Sequence, residues 1–157
     1  DNLPQGNLWE FKNGAPVEVD IMKSLKERKV IIFGLPGAFT PTCSASHLPG
    51  FLSAYNDLRV LVDEIWCISV NDAFVMNAWG TSNGVQGKIR MMADGSASYA
   101  KTLGLELDLS SRGMGIRMRR FSLFAVDSTI KFINLEGKGK FEVSDAETIL
   151  NQIKDLH

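Results

Sequence analysis

Two short runs constrain this chain more than any other feature: KVIIFGL at 29–35 and EIWCISV at 64–70. Both are apolar almost throughout and rich in β-branched residues, without the polar alternation of a half-exposed strand. They predict central strands covered on both faces. Such a sheet needs helices to cover it, and the residues between the runs supply one. Leu48, Phe51, Leu52, Tyr55 and Leu58 recur at helical spacing from Cys43 to about Val62, with Pro49 expected to kink the helix in its first turns.

The rest of the chain extends this alternation. LWEF and PVEV flank Asn13-Gly14 as a small hairpin, because Asn-Gly suits the positive backbone angles of a tight primed turn. Asp20 is placed to cap a short helix through Lys26. A helix near Ala73 to Trp79, a strand IRMMAD, a short helix SASYAKTL and an irregular stretch to about Met118 follow. FSLFAV and TIKFINL form a hairpin about Asp127-Ser128. SDAETILNQIKDL closes the chain as a helix in which Ser144 and Glu147 have capping-box spacing. No repeat or Pro/Gly/Ser linker divides the 157 residues, so one domain is expected over 1–157. The class is α/β, and a thioredoxin-like sheet with an N-terminal hairpin and added elements is the best architectural match.

Composition narrows the function. The 17 basic and 18 acidic residues nearly cancel, so no overall field favours nucleic acid or an anionic membrane surface, and no apolar run reaches the ~20 residues of a membrane span. The basic cluster KSLKERK is expected to be the solvated end of a short helix. Two cysteines, Cys43 and Cys67, are too few for a disulfide framework or a four-ligand zinc site, and they favour a reducing compartment. The N-terminal residues carry neither signal-peptide nor transit-peptide character, so a cytoplasmic location is expected, or a mitochondrial or other organellar one if a transit peptide has been removed. With only His47 and His157, a histidine-rich metal site is not expected. Asn83-Gly84 and Gly137-Lys138-Gly139 are turn signals without the form of a phosphate-cradling loop, so no cofactor is implied.

The stretch LPGAFTPTCSASHL holds the chemistry. An inert cysteine is usually hidden among apolar neighbours, whereas Cys43 follows two prolines and two threonines, which predicts a sulfur that can be reached. It opens a helix, where the free N–H groups and the helix dipole favour thiolate over thiol. Thr40 can put a hydroxyl beside the sulfur, and the rigid ring of Pro36 suits one wall of a shallow pocket that limits water. His47, four residues on, invites a Cys-His pair, although a residue in the body of the helix fits a supporting role better. Cys67, in the middle of a strand, reads as a small buried core thiol.

Pro36, Thr40 and Cys43 reproduce the PxxxTxxC signature of peroxiredoxins, and PGAFTPTCSASHLPGF resembles the atypical peroxiredoxin-5 or type II branch. The resemblance continues through WCISVNDAFVMNAW and RRFSLFAV. It implies that Arg120, directly before an aromatic-Ser strand, completes the site with a guanidinium that stabilises the thiolate and the charge developing as an O–O bond breaks. Arg117 matches a recurrent family arginine, while Arg119 is expected to be a solvated charge. The implied reaction is attack of Cys43 on hydrogen peroxide or a small alkyl hydroperoxide, leaving a sulfenic acid that thiols reduce. The chain has no cysteine after Cys67, so the later loops lack the resolving thiol of the best-known members. A one-cysteine route through glutathione or glutaredoxin is expected. A Cys43–Cys67 disulfide with thioredoxin as donor is the alternative, and a redox sensor without turnover is a third. A disulfide reductase would need a CxxC pair, and Thr40 stands at its first position. The resemblance also implies a homodimer, with 39–42 and 71–79, including Phe39, Phe74 and Trp79, on its face.

Overall fold

In the computed structural model, which describes residues 1–156, the two apolar runs form neighbouring central strands of a seven-stranded sheet. The chain order is β1 (Asn7–Lys12), β2 (Ala15–Asp20), α1 (Ile21–Leu25), β3 (Lys29–Leu35), α2 (Leu48–Ser53), α3 (Tyr55–Leu58), β4 (Glu64–Ser69), α4 (Ala73–Asn83), β5 (Arg90–Ala93), α5 (Ser98–Leu103), β6 (Glu106–Asp108), β7 (Ile116–Met118), β8 (Phe121–Val126), β9 (Thr129–Leu135) and α6 (Ala146–Asp155). The sheet order is β2-β1-β5-β4-β3-β8-β9, with β6 and β7 paired separately. β3, β4 and β5 run parallel, and β8 and β9 continue antiparallel. This is the mixed sheet of a thioredoxin-like α/β fold.

The period of two along β3 divides the core. Ile31, Phe33 and Leu35 face the side that also holds Cys43, Phe51, Cys67, Trp79 and Ile149; Val30 and Ile32 face the side holding Ile21, Trp66, Tyr99 and Phe121. Phe33 stacks on Phe51 with ring centroids 4.1 Å apart, so truncating Phe51 to alanine would cost about 3–5 kcal/mol. Gly34 sits where β3 meets β8. A Cβ there would run into the Phe121 ring and lie 2.9 Å from Met118 Sδ, so the close strand approach requires glycine.

The local signals act as expected at several places. Asn13 and Gly14 both have positive φ and join β1 to β2. Asp20 caps α1 by accepting from Lys23 N at 3.1 Å, and Asn83-Gly84 ends α4 with Gly84 in the left-handed region. α4 runs on to Asn83, past the Trp79 expected from sequence.

Three expectations need correction. The helix from Cys43 to Val62 is not continuous. Helical turns begin at residue 41, Cys43–His47 adopts wider π geometry in which Leu48 N bonds to Cys43 O, and the chain breaks again between α2 and α3. Pro49 explains the first irregularity, because it has no N–H and its ring crowds the carbonyl four residues back, and a widened turn relieves both. The irregular stretch before Met118 contains the short β6–β7 pair. Asp145, not Ser144, caps α6, accepting from Thr148 N at 3.2 Å. His157 lies outside the described residues.

Candidate active site

β3 ends at Leu35 and delivers Pro36 into a loop that turns at Phe39, whose φ of 63° is left-handed, and enters the helical turns at 41. Two side chains hold this loop from behind. Asn71 Oδ1 accepts from Ala38 N at 2.9 Å and from Ser69 Oγ at 2.7 Å. Arg117 donates to the carbonyls of Met114, Val70 and Pro36 at 2.9, 3.3 and 3.5 Å. Arg117 therefore braces the loop backbone. Thr40 Oγ1 donates to Gly37 O at 2.6 Å, which commits its proton and leaves its oxygen lone pairs to accept.

Cys43 is fully buried, contrary to the reachable sulfur expected from its polar neighbours. The turn is polar in sequence, but the wide first turns of the helix roll Cys43 inward onto the face shared with Phe33 and Leu35. Arg120, at the entrance to β8, meets it there: Nη2 donates to Sγ at 3.1 Å. A charge-assisted donor at that distance suits an anionic sulfur.

The guanidinium is itself held by two further contacts, to His47 and to the Phe141 ring. Arg120 Nη1 donates to His47 Nδ1 at 2.9 Å, and His47 Nε2 lies 2.9 Å from Ser144 O. Because a guanidinium can only donate and a carbonyl only accept, the imidazole is neutral and carries its proton on Nε2. Burial, and then the positive charge of Arg120, hold the His47 pKa down at about 3. The Phe141 ring lies 5.7 Å from the guanidinium carbon and 5.0 Å from the His47 ring. His47 thus touches the arginine and not the sulfur, and the contacts run as a Cys-Arg-His chain.

The loop supplying Phe141 and Ser144 O is closed by Glu136, which sequence reasoning missed. Its carboxylate accepts from the N–H groups of Glu142, Val143 and Ser144 and from Ser144 Oγ, all within 2.7–2.9 Å. Burial pushes the Glu136 pKa up, but these hydrogen bonds prevail and hold it below the usual carboxylate value. Its sequence neighbours, Leu135 and Gly137, give no hint of this. Ser144, which the sequence spacing offers as a helix cap, joins this cluster instead. Arg119, expected to be solvated, is half-buried and donates to Glu136 O at 3.1 Å.

A cleft of about 320 Å³, lined in part by Pro36, Thr42 and Arg120, opens beside the site. Cys67 lies in β4 with hydrogen-bonded strands on both sides, fully buried. Burial, then the negative charge of the Cys43 sulfur when ionised, push its pKa well up, with Arg120 opposing. Phe39 and Phe74 are exposed, but Trp79 is core, donating to Ser44 Oγ at 3.0 Å, so it is no part of an open face.

No helix among the described residues is long and apolar enough to cross a membrane. The redoxin family profile matches residues 1–150. Peroxiredoxin-2B of Arabidopsis thaliana is 44% identical over 155 residues, 98% of this chain and 96% of that protein. Reduced Prx3 of Vibrio vulnificus, solved in complex with hydrogen peroxide, superposes with a TM-score of 0.94 at 40% identity, covering 98% of this chain and 96% of that one. A Burkholderia cenocepacia protein presented as a thioredoxin reductase gives a TM-score of 0.93 at 49% identity, with 96% and 94% covered. With a buried cysteine under an arginine donor and near full-length likeness to these proteins, the chain belongs to the redoxin family and is a peroxiredoxin, a peroxidase that acts on peroxides at the expense of a thiol.

Proposed function

We propose that this peroxiredoxin, of the type II, peroxiredoxin-5-like branch, reduces hydrogen peroxide and small alkyl hydroperoxides at Cys43 and is regenerated by an external thiol, glutathione or a glutaredoxin. The observation that carries the reading is the 3.1 Å contact between Arg120 Nη2 and Cys43 Sγ, held by a neutral His47. The thiolate attacks one peroxide oxygen, the O–O bond breaks, and the leaving oxygen takes up a proton as water or alcohol, with Cys43 left as sulfenic acid. Arg120 stabilises the charge that moves from sulfur to the leaving oxygen. Thr40 accepts a hydrogen bond from the peroxide hydroxyl, its own proton being held by Gly37 O. Pro36 limits water. His47 and Arg117 act as positioning residues, for the guanidinium and for the loop.

The single-cysteine route is supported by the surroundings of Cys67. Its sulfur is buried mid-sheet and its thiol is held protonated, so a role as resolving cysteine requires local opening of β4 as well as of the helix at Cys43. The nearness that lets Cys43 act on its titration favours the two-cysteine alternative, in which thioredoxin is the donor. A homodimer is part of the proposal, with the exposed Phe39 and Phe74 on its face.

Intact mass separates the routes. Reduced protein treated with one equivalent of hydrogen peroxide is expected to gain one oxygen, and then to form a glutathione adduct mapped to Cys43. Loss of two hydrogens without that oxygen would overturn the single-cysteine route in favour of a Cys43–Cys67 disulfide.

A further inference from the structure

The cleft beside Cys43 carries a charge pattern that hydrogen peroxide does not need. Arg119, Arg120, Lys138 and Lys140 all line it. A turn in which Lys140 N donates to Gly137 O at 3.0 Å brings the two lysines to its rim, and both are exposed. Among the described residues, no carboxylate forms an ion pair with Arg119, Lys138 or Lys140. The one carboxylate lining the cleft, Glu136, is occupied by the N–H groups and hydroxyl of 142–144. The larger cleft of this molecule, about 420 Å³ at the far end of α4, also collects cations, but three carboxylates, Glu10, Asp63 and Glu64, line it beside them. Its Arg90 is locked between Glu10 and Glu64 at 2.7 and 3.0 Å. Arg120, which donates to Cys43 Sγ, thus shares its cleft with cations that no carboxylate pairs.

We infer that this cleft is a subsite for the carboxylate of a small anionic thiol that reduces Cys43, an inference that rests on the single-cysteine reading. In the step served, the thiol sulfur attacks the sulfur of the Cys43 sulfenic acid, the S–O bond breaks, and the departing hydroxide takes the thiol proton as water. A mixed disulfide remains; a second thiol molecule, having released its proton to solvent, attacks the thiol-derived sulfur as its thiolate, the S–S bond to Cys43 breaks, and the Cys43 thiolate and an oxidised thiol dimer are left. The charge balance follows the cycle. While Cys43 is a thiolate it faces Arg120 and offsets its charge; as a neutral sulfenic acid it no longer does, so the cleft is most positive in the state that awaits the reductant. A thiol with a carboxylate beside it is favoured over a neutral one of the same size. The peroxide, whose smallest form has no charge, gains nothing from the lysines.

The test compares two thiols of similar size, mercaptoacetate and mercaptoethanol, on protein first converted to the sulfenic acid with hydrogen peroxide. Adduct formation is followed by intact mass, and rates are divided by thiolate concentration. At low ionic strength the anionic thiol is expected to react about 3–10-fold faster, the preference falling towards unity at roughly 1 M salt, where the Debye length is about 3 Å. In the Lys138→Glu, Lys140→Glu double variant the preference is expected to vanish or invert. Equal rates for the two thiols on the unmodified protein, or an unchanged ratio in the double variant, would overturn the subsite. A preference found instead between a carboxylate-bearing hydroperoxide and tert-butyl hydroperoxide, in the oxidation step, would overturn its assignment to the thiol. If neither thiol forms an adduct, the single-cysteine reading fails and takes the subsite with it. That outcome is distinct because the mass spectrum shows it before any ratio is formed.

Discussion

Cys43 and Cys67 lie on the same side of one sheet and are equally hidden from solvent, yet their surroundings differ in kind. Cys67 is fixed by strand pairing among apolar side chains, which hold its thiol protonated. Cys43 sits in a wide helical turn with an arginine donor 3.1 Å from its sulfur. Burial is common to both, so burial does not separate a core thiol from a reacting one. What separates them is a fixed cation, and the buried, neutral histidine that aims it.

The largest effect expected from this contrast is on turnover. Cys43→Ser should lower peroxidase turnover by roughly a thousandfold or more, while Cys67→Ser should stay within about threefold and lose stability instead, because a hydroxyl replaces a buried thiol. Steady-state peroxide consumption with both variants checks this, and comparable losses would erase the contrast. Next in size is the arginine. Arg120→Gln keeps a donor but removes the charge, and the rate of Cys43 oxidation by hydrogen peroxide should fall roughly 10²–10³-fold. A rate within a few-fold of the unmodified protein would mean that the guanidinium serves packing only.

The smallest effect is a pH dependence of stability. His47 has a folded pKa of about 3 against an ordinary value of 6.5, so between these values the unfolded chain binds the extra proton. Its contribution is complete above pH 6.5 and is lost progressively as pH falls towards 3. Between pH 7 and pH 5 the loss is about 2 kcal/mol. Glu136, whose folded pKa lies below its usual 4.5, adds a loss only at more acid pH. Denaturant unfolding at several pH values should show the slope, and His47→Gln should flatten it between pH 7 and pH 5. A slope that persists in the variant would place its origin elsewhere.

Local features were legible in the sequence because their causes are local. Continuous apolar runs became β3 and β4, Asn13-Gly14 became a hairpin turn, and Asp20 became a cap. The capping-box spacing of Ser144 and Glu147 misled, because Asp145 and Thr148 offer the same spacing one residue later. Ser144 itself is drawn to a carboxylate eight residues earlier in the chain. The polar company of Cys43 suggested an accessible sulfur. In the fold, neighbours in sequence turn outward while the cysteine points into the core.

The α/β class, the central strands and the cysteine worth watching each depend on spacing or on residues adjacent in the chain, so the amino-acid order was enough to find them. The rest of the site came from packing. Arg120 reaches Cys43 across 77 positions, His47 finds Ser144 across 97, and Glu136 closes the loop between them. Hydrogen bonds of that kind form only after the strands and helices have packed. Their geometry is set by how β8, α6 and the wide turn at Cys43 meet, and linear spacing does not encode it.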